Sequence, residues 1–246
     1  ADIQEDKAKR AAYALDQYGP NVHACSVNVG QSRSVAHLVE QSLDKFGRID
    51  ILANVAGGSG STIIEDIEDM TDEAWDGVIA SNLRGTFLMC RQTVPYMRRN
   101  GGGSIVNFAT GSIRGFSGKT TSAARLAYVA AKAGIIGFTN QLSQDVAAAK
   151  IGVNVIQPGF VLTEPGARIR EIFDSMSPED QQAMLNRRKP RTSEEIAWAV
   201  SWMVARPQSQ LSGVSVRLQG PIDGPDLQLK MDAANPLATT ALLERL

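Results

Sequence analysis

Charge of one sign is missing from this 246-residue chain: 25 Lys and Arg nearly cancel 26 Asp and Glu, for a formal net charge of −1. No basic excess is left to neutralise a phosphate backbone or an anionic membrane surface, which argues against nucleic acid as a partner. Long hydrophobic runs are missing too, and no stretch approaches the ~18–20 uninterrupted apolar residues that a bilayer-spanning helix needs. Asp2, Glu5, Asp6 and Lys7 stand where a secretory signal would carry its apolar segment, so the sequence reads as a soluble, cytoplasmic protein with no membrane partner. Cysteine and histidine are scarce, Cys25, Cys90, His23 and His37 being the full complement. That removes a disulfide framework, a zinc cluster and an evident Ser/His triad, and no metal ligand is assigned.

What is present is the composition of one sizeable globular domain, 43% hydrophobic and 21% charged. Short β-branched runs alternate with longer segments of helical period, the signature of βα units on a mostly parallel sheet, and the fold class is therefore α/β. Helical spacing at Ala8, Ala11, Ala12 and Leu15 ends at Gly19 and Pro20, and residues 22–29 form the next strand candidate. Val35, Leu38, Val39 and Phe46 line a second helix stopped by Gly47, before a strand over residues 49–53. Thr71 caps a long helix reaching Tyr96, a strand covers residues 104–108, and a helix starts at Tyr128. Strands over residues 153–156 and 214–218 close the pattern. The polar segment 163–191 between them reads as a mobile lid, and Thr192 with Glu195 forms a capping box for the helix that follows. Domain organisation is thus one unit over residues 1–220, with a turn-rich tail, residues 221–246, expected at a subunit interface.

Chemistry concentrates at Tyr128 and Lys132. A spacing of four stacks phenol and ammonium on one helix face. A cation there favours the phenolate, drawing a reference pKa near ~10 towards the range in which a tyrosine exchanges a proton with an alcohol or carbonyl oxygen.

Four features follow one another in order: Asn54, Val55, Ala56 and Gly57 after a strand; Asn82 within Ser81, Asn82, Leu83, Arg84 and Gly85; the Tyr128/Lys132 pair; and Pro158, Gly159, Phe160, Val161, Leu162 and Thr163 after the next strand. Over residues 1–220 the chain resembles the short-chain dehydrogenase/reductase family. The resemblance implies a Rossmann-like, doubly wound parallel sheet in a single domain, and NAD as cofactor. It implies Tyr128 as general acid/base, Lys132 lowering its pKa and holding the nicotinamide ribose, and Asn82 steadying a water relay. The family's substrate-binding hydroxyl falls on Thr110 by strand register, or on Ser112 by local pattern. Cofactor contacts are implied for Asp2 at the adenosine ribose, Ser26 and Val27 near the adenine, and Asn54, Ala56, Gly57, Pro158, Gly159, Val161 and Thr163 elsewhere.

The same comparison marks departures. The sequence opens where the family's second strand ends, so the first strand and its Gly-rich pyrophosphate turn are expected to be absent, leaving an N-terminally truncated sheet. Either the strand at Val22 moves beside the one at Ile51, or another chain covers the gap, or residues precede Ala1. Ser26 stands where the family usually has Asp. Thr110 to Gly118 nearly copies a phosphate loop, and Gly118, Lys119 and Thr120 resemble the end of a P-loop, but both fail on glycine register. Two functions follow. One is a subunit of a secondary-alcohol or hydroxyacyl-CoA dehydrogenase, cofactor-free or a pseudoenzyme itself and paired in a hetero-oligomer with a full-length homologue. The alternative is an active NAD-dependent alcohol dehydrogenase or ketone reductase, as a homo-oligomer. Arg187, Arg188, Lys189 and Arg191 are candidates for coenzyme A phosphates, and Ile172, Phe173, Met176 and Met184 for an apolar substrate skeleton.

Overall fold

In the computed structural model the described residues are 1–16, 21–60, 66–113, 124–163, 168–187, 190–206 and 211–218. Among the described residues four parallel strands, β1 (Ile51–Asn54), β2 (Gly103–Phe108), β3 (Ile151–Pro158) and β4 (Ser215–Leu218), lie side by side in sequence order. Their register brings Asn54 opposite Asn107, Phe108 opposite Ile156 and Arg217 opposite Gln157. β2 and β3 are buried on both faces, which is why they read as continuous apolar runs.

Helices cover the sheet on two sides. On one, α2 (Ser32–Phe46), α4 (Gly85–Arg99) and α5 (Ala124–Asp145) pack on it. Val35, Val39, Leu88 and Met97 join Leu52, Ile105 and Val153 in one core there. On the other, α8 (Ser193–Val204) presses Ala199 and Met203 onto Val106, Ile156 and Val216. Layers of this kind around one parallel sheet make a Rossmann-like single domain. The helix starts follow local chemistry: the Thr71 hydroxyl accepts from Ala74 N at the head of α3 (Asp72–Ile79), and Thr192 and Glu195 form a reciprocal capping box on α8. α1 (Glu5–Asp16) lies next to the sequence's N-terminus, while α6 (Arg168–Asp174) and α7 (Pro178–Arg187) occupy much of the segment expected as a lid.

Two expectations need correction. The long helix from Thr71 is interrupted: α3 passes into a π-helical turn, Ala80–Arg84, before α4 begins at Gly85. Residues 22–29 do not form a strand, nor do they move beside β1. They hold one parallel bridge, Asp2 to Ser26, with Val27 N donating to Asp2 O at 3.0 Å. A β-run becomes a strand only when a ladder partner satisfies its backbone groups, and among the described residues this segment has the short one at Asp2. The expected tail, residues 221–246, lies outside the described residues.

Candidate active site

The four features singled out in the sequence converge on the C-terminal ends of β1, β2 and β3, the edge of a parallel sheet where ligands bind. α5 crosses that edge with Tyr128 and Lys132 one turn apart. Lys132 is only 3% exposed and donates from Nζ to Phe108 O, the last carbonyl of β2, at 2.7 Å. Its Nζ is 5.6 Å from the centre of the Tyr128 ring. The hydroxyl of Thr110, two residues beyond Phe108, is close enough to the half-buried Tyr128 phenol to favour its ionised form. Ser112 meets the same threonine through its backbone, its N–H donating to Thr110 Oγ1 at 3.3 Å.

The electrostatics differ from the simple expectation that Lys132 draws the phenol down. Burial pushes the Tyr128 phenol up, and the Thr110 hydroxyl pulls it partly back. Burial also lowers Lys132 from 10.5 to about 8. Both groups shift towards their neutral forms because the site is poorly solvated.

Asn82 is fully buried in the π-helical turn. Its Nδ2 donates to Val78 O at 2.8 Å and Gly58 O at 2.9 Å, so the amide spans from its own helix to the turn after β1. Asn82 Oδ1 is buried with no hydrogen-bond donor among the described residues. Gly57 has φ +138°, and a Cβ there would fall 2.3 Å from that oxygen, so only glycine lets the turn lie against Asn82.

The residues expected around a nicotinamide cofactor divide into two groups. On the side of Tyr128 and Lys132, the Thr163 hydroxyl is a buried oxygen without a partner among the described residues. A Cβ on Gly159 would approach Leu218 O at 2.8 Å, so Pro158 and Gly159 turn the chain tightly there, and Val161 is pinned by a parallel bridge to Arg191. A hydroxyl without a partner, a buried ammonium and a glycine cradle suit a polar carboxamide and ribose, so this half fits the cofactor. Farther away, Asp2 caps Gln4 N with its carboxylate at 2.8 Å, Ser26 Oγ donates to Ile3 O, and Val27 is buried in the core. Asn54 is committed to the interior: its Nδ2 donates to Asn107 Oδ1 at 2.8 Å, and Ala56 follows in the turn.

Arg191 is corrected as a phosphate ligand. It is 3% exposed and its Nη1 pairs with Glu195 at 3.0 Å, directed into the α8 capping box rather than to solution. Arg188, Lys189 and the side chains of Arg187 and Ile172 lie outside the described residues, as does most of the loop carrying the near-miss phosphate motifs. Phe173 is buried and stacks at a tilt on Phe160, 6.0 Å between centroids, so it packs the segment as well as bordering it.

The residue that sequence reasoning missed is Arg217, whose Nη2 donates to Gly111 O at 2.9 Å across 106 positions of sequence. A charged residue in the last apolar strand was the available signal. Asn107 was another, since it links Asn54 on β1 to Thr139 on α5, donating to Thr139 Oγ1 at 2.9 Å.

A parallel sheet covered by helices, with a Tyr–Lys pair at its C-terminal edge and a threonine hydroxyl on the phenol, defines an oxidoreductase of the Rossmann-like class. The short chain dehydrogenase profile matches residues 1–172, and the chain belongs to the short-chain dehydrogenase/reductase family. It is similar to the short-chain reductase protein NovJ of Streptomyces niveus, 31% identical over 89% of this chain and 81% of that protein. It is 32% identical to the 3-oxoacyl-[acyl-carrier-protein] reductase FabG of Chlamydia muridarum, over 89% of this chain and 84% of the relative. Among solved structures, NAD+-bound xylitol dehydrogenase superposes with a TM-score of 0.75 at 24% identity, covering 89% of this chain and 86% of that one, a likeness of fold. Among the described residues no helix is long and apolar enough to cross a membrane.

Proposed function

We propose that the chain is a nicotinamide-dependent oxidoreductase that interconverts a ketone and a secondary alcohol, with 3-oxoacyl thioesters as its substrate class. The observation that carries this reading is the buried Lys132, fixed to Phe108 O at 2.7 Å and 5.6 Å from the Tyr128 ring, with the Thr110 hydroxyl close enough to act on the phenol. A carbonyl oxygen placed between the two hydroxyls receives a proton from Tyr128 as charge develops on it, while Thr110 donates to the same oxygen. The Lys132 ammonium then stabilises the phenolate that remains. Asn82 Oδ1 accepts from the hydroxyl or water that returns a proton to Tyr128. Lys132, Val161 and Thr163 would hold the nicotinamide end of NAD, Ala56 and Gly57 would line its approach, and Asp2 would face the adenosine ribose. The cofactor supplies the hydride. The thioester assignment is supported by the resemblance to the 3-oxoacyl reductase.

The test is nicotinamide oxidation with an acetoacetyl thioester. Tyr128→Phe keeps the ring packed and removes the transferable proton, so the rate should fall by about 10²–10⁴-fold with little loss of stability. An unchanged rate would remove Tyr128 from the mechanism.

A second reading, a cofactor-free subunit completed by a homologous dehydrogenase, is favoured by one feature. The Asp2–Ser26 bridge stands apart from the four-stranded sheet, and Ile51 on β1 is 51% exposed. Calorimetry separates the two: NAD binding by the chain alone supports the first, while binding that appears only after co-expression with a homologue supports the second.

A further inference from the structure

The turn after β2 is tied down through the backbone N–H groups of Ala109, Gly111 and Ser112. Ala109 N donates to Ile156 O at 2.8 Å and Gly111 N to Pro158 O at 2.9 Å, so the backbone of β3 holds one side of it. Ser112 N donates to Thr110 Oγ1, which fixes the threonine rotamer within the turn. What β3 does not hold is Gly111 O, and that carbonyl receives Arg217 Nη2 at 2.9 Å from β4. Arg217 lies opposite Gln157 in the ladder and shares its face of β4 with Ser215, so the guanidinium reaches the turn from the outermost strand. The threonine that addresses the Tyr128 phenol is the residue immediately before this doubly held glycine.

We propose that Arg217 is a positioning residue. From β4 it clamps Gly111 so that the Thr110 hydroxyl stays within hydrogen-bond reach of Tyr128. A charge-assisted bond to a carbonyl is stronger than a neutral one, and its planar donor group fixes direction as well as distance. Glycine at position 111 has no side chain to brace the turn, so the clamp on its carbonyl controls how the preceding residue is presented. In the catalytic role this rests on the oxidoreductase reading above, but the hydroxyl pair it positions is present in the fold whether or not the chain turns over substrate.

The test follows Tyr128 directly, by ¹³Cζ-tyrosine NMR titration, with its resonance assigned through Tyr128→Phe. Thr110→Val removes the hydroxyl and moves the Tyr128 titration upward. Arg217→Met should move it in the same direction, and the double variant Thr110→Val/Arg217→Met should titrate with Thr110→Val alone, because the clamp acts only through the threonine. An electrostatic effect of the guanidinium on the phenol would instead persist without Thr110. Arg217→Lys retains a donor and should titrate close to the parent. Arg217→Gln keeps a polar side chain too short to reach Gly111 and carries the same expectation as Arg217→Met should the latter not fold. On the rate, Arg217→Met should lower kcat about tenfold with KM changed much less, the size of one lost positioning hydrogen bond. A Tyr128 titration unmoved in the Met and Gln variants, or shifts that add in the double variant, overturns the proposal. A parent chain without reductase activity would refute the proposed function and leave the titration to decide the clamp.

Discussion

Replacing Lys132 by Met should make the protein more stable at neutral pH while removing the cation beside Tyr128. The lysine is 3% exposed, and its amine is lowered by burial from 10.5 to about 8. At ~1.4 kcal/mol per tenfold change in proton affinity, that difference is about 3 kcal/mol in favour of the neutral amine inside the fold. The folded pKa lies below the unfolded one, so below pH 8 both states carry the proton and the folded state bears the full cost of burying a charge. Between about pH 8 and 10.5 the folded amine sheds its proton while the unfolded one keeps it, and stability rises with pH through this window. Methionine has a similar length and no charge, so it removes the cost. It also deprives Phe108 O of its donor at 2.7 Å, which returns about 1–3 kcal/mol. The net expectation at pH 7 is a gain of about 1–2 kcal/mol.

Urea unfolding of parent and variant at several pH values is the assay. The advantage of Lys132→Met should shrink by about 2 kcal/mol between pH 8 and 10, as the parent's penalty disappears. Groups common to both proteins cancel in the difference. A variant less stable than the parent at pH 7, by an amount that stays constant up to pH 10, would show that the bond to Phe108 O outweighs the burial of the charge.

Two substitutions probe the supports of the site. Gly57→Ala forces a Cβ at φ +138° to within 2.3 Å of Asn82 Oδ1; it should cost upwards of about 1 kcal/mol in urea unfolding and lower turnover by displacing Asn82. Thr192→Ala breaks the capping box on α8 and should cost about 0.5–2 kcal/mol in urea unfolding.

What the sequence made readable was set by local chemistry. The Thr71 and Thr192 caps, the Gly47 stop of α2 and the four parallel strands follow from hydroxyl acceptors, left-handed glycine and apolar runs. The π-helical turn at Ala80–Arg84 was not readable, because it depends on the Asn82 amide taking Val78 O and reaching Gly58 O, a partner 24 residues away. Residues 22–29 look like a strand by composition, but strand formation depends on a neighbour that composition does not specify. At the site, the Tyr128/Lys132 spacing was legible because helical period is local. The lysine's acceptor, Phe108 O, and the clamp at Arg217 were not, since both are contacts between distant segments that the sheet register creates.

The direction of the proton shifts also bears on which way the chemistry runs. A lysine beside a tyrosine, judged from spacing alone, favours phenolate. In the folded chain burial dominates: the phenol is raised above its ordinary value and the amine is lowered only to about 8. At pH 7 the phenol therefore keeps its proton and the amine keeps its charge, which places a proton donor next to a cation. This is the protonation state required to deliver a proton to a carbonyl oxygen and then hold the resulting phenolate. Taking a proton from an alcohol requires the phenolate first, and the dry site disfavours it. As pH rises through about 8 the Lys132 charge is lost, and with it the group that stabilises the phenolate product. Under the oxidoreductase reading, the resting site is set for ketone reduction at neutral pH, and the burial that makes Lys132 costly to the fold is the same burial that keeps the Tyr128 proton in place for the substrate.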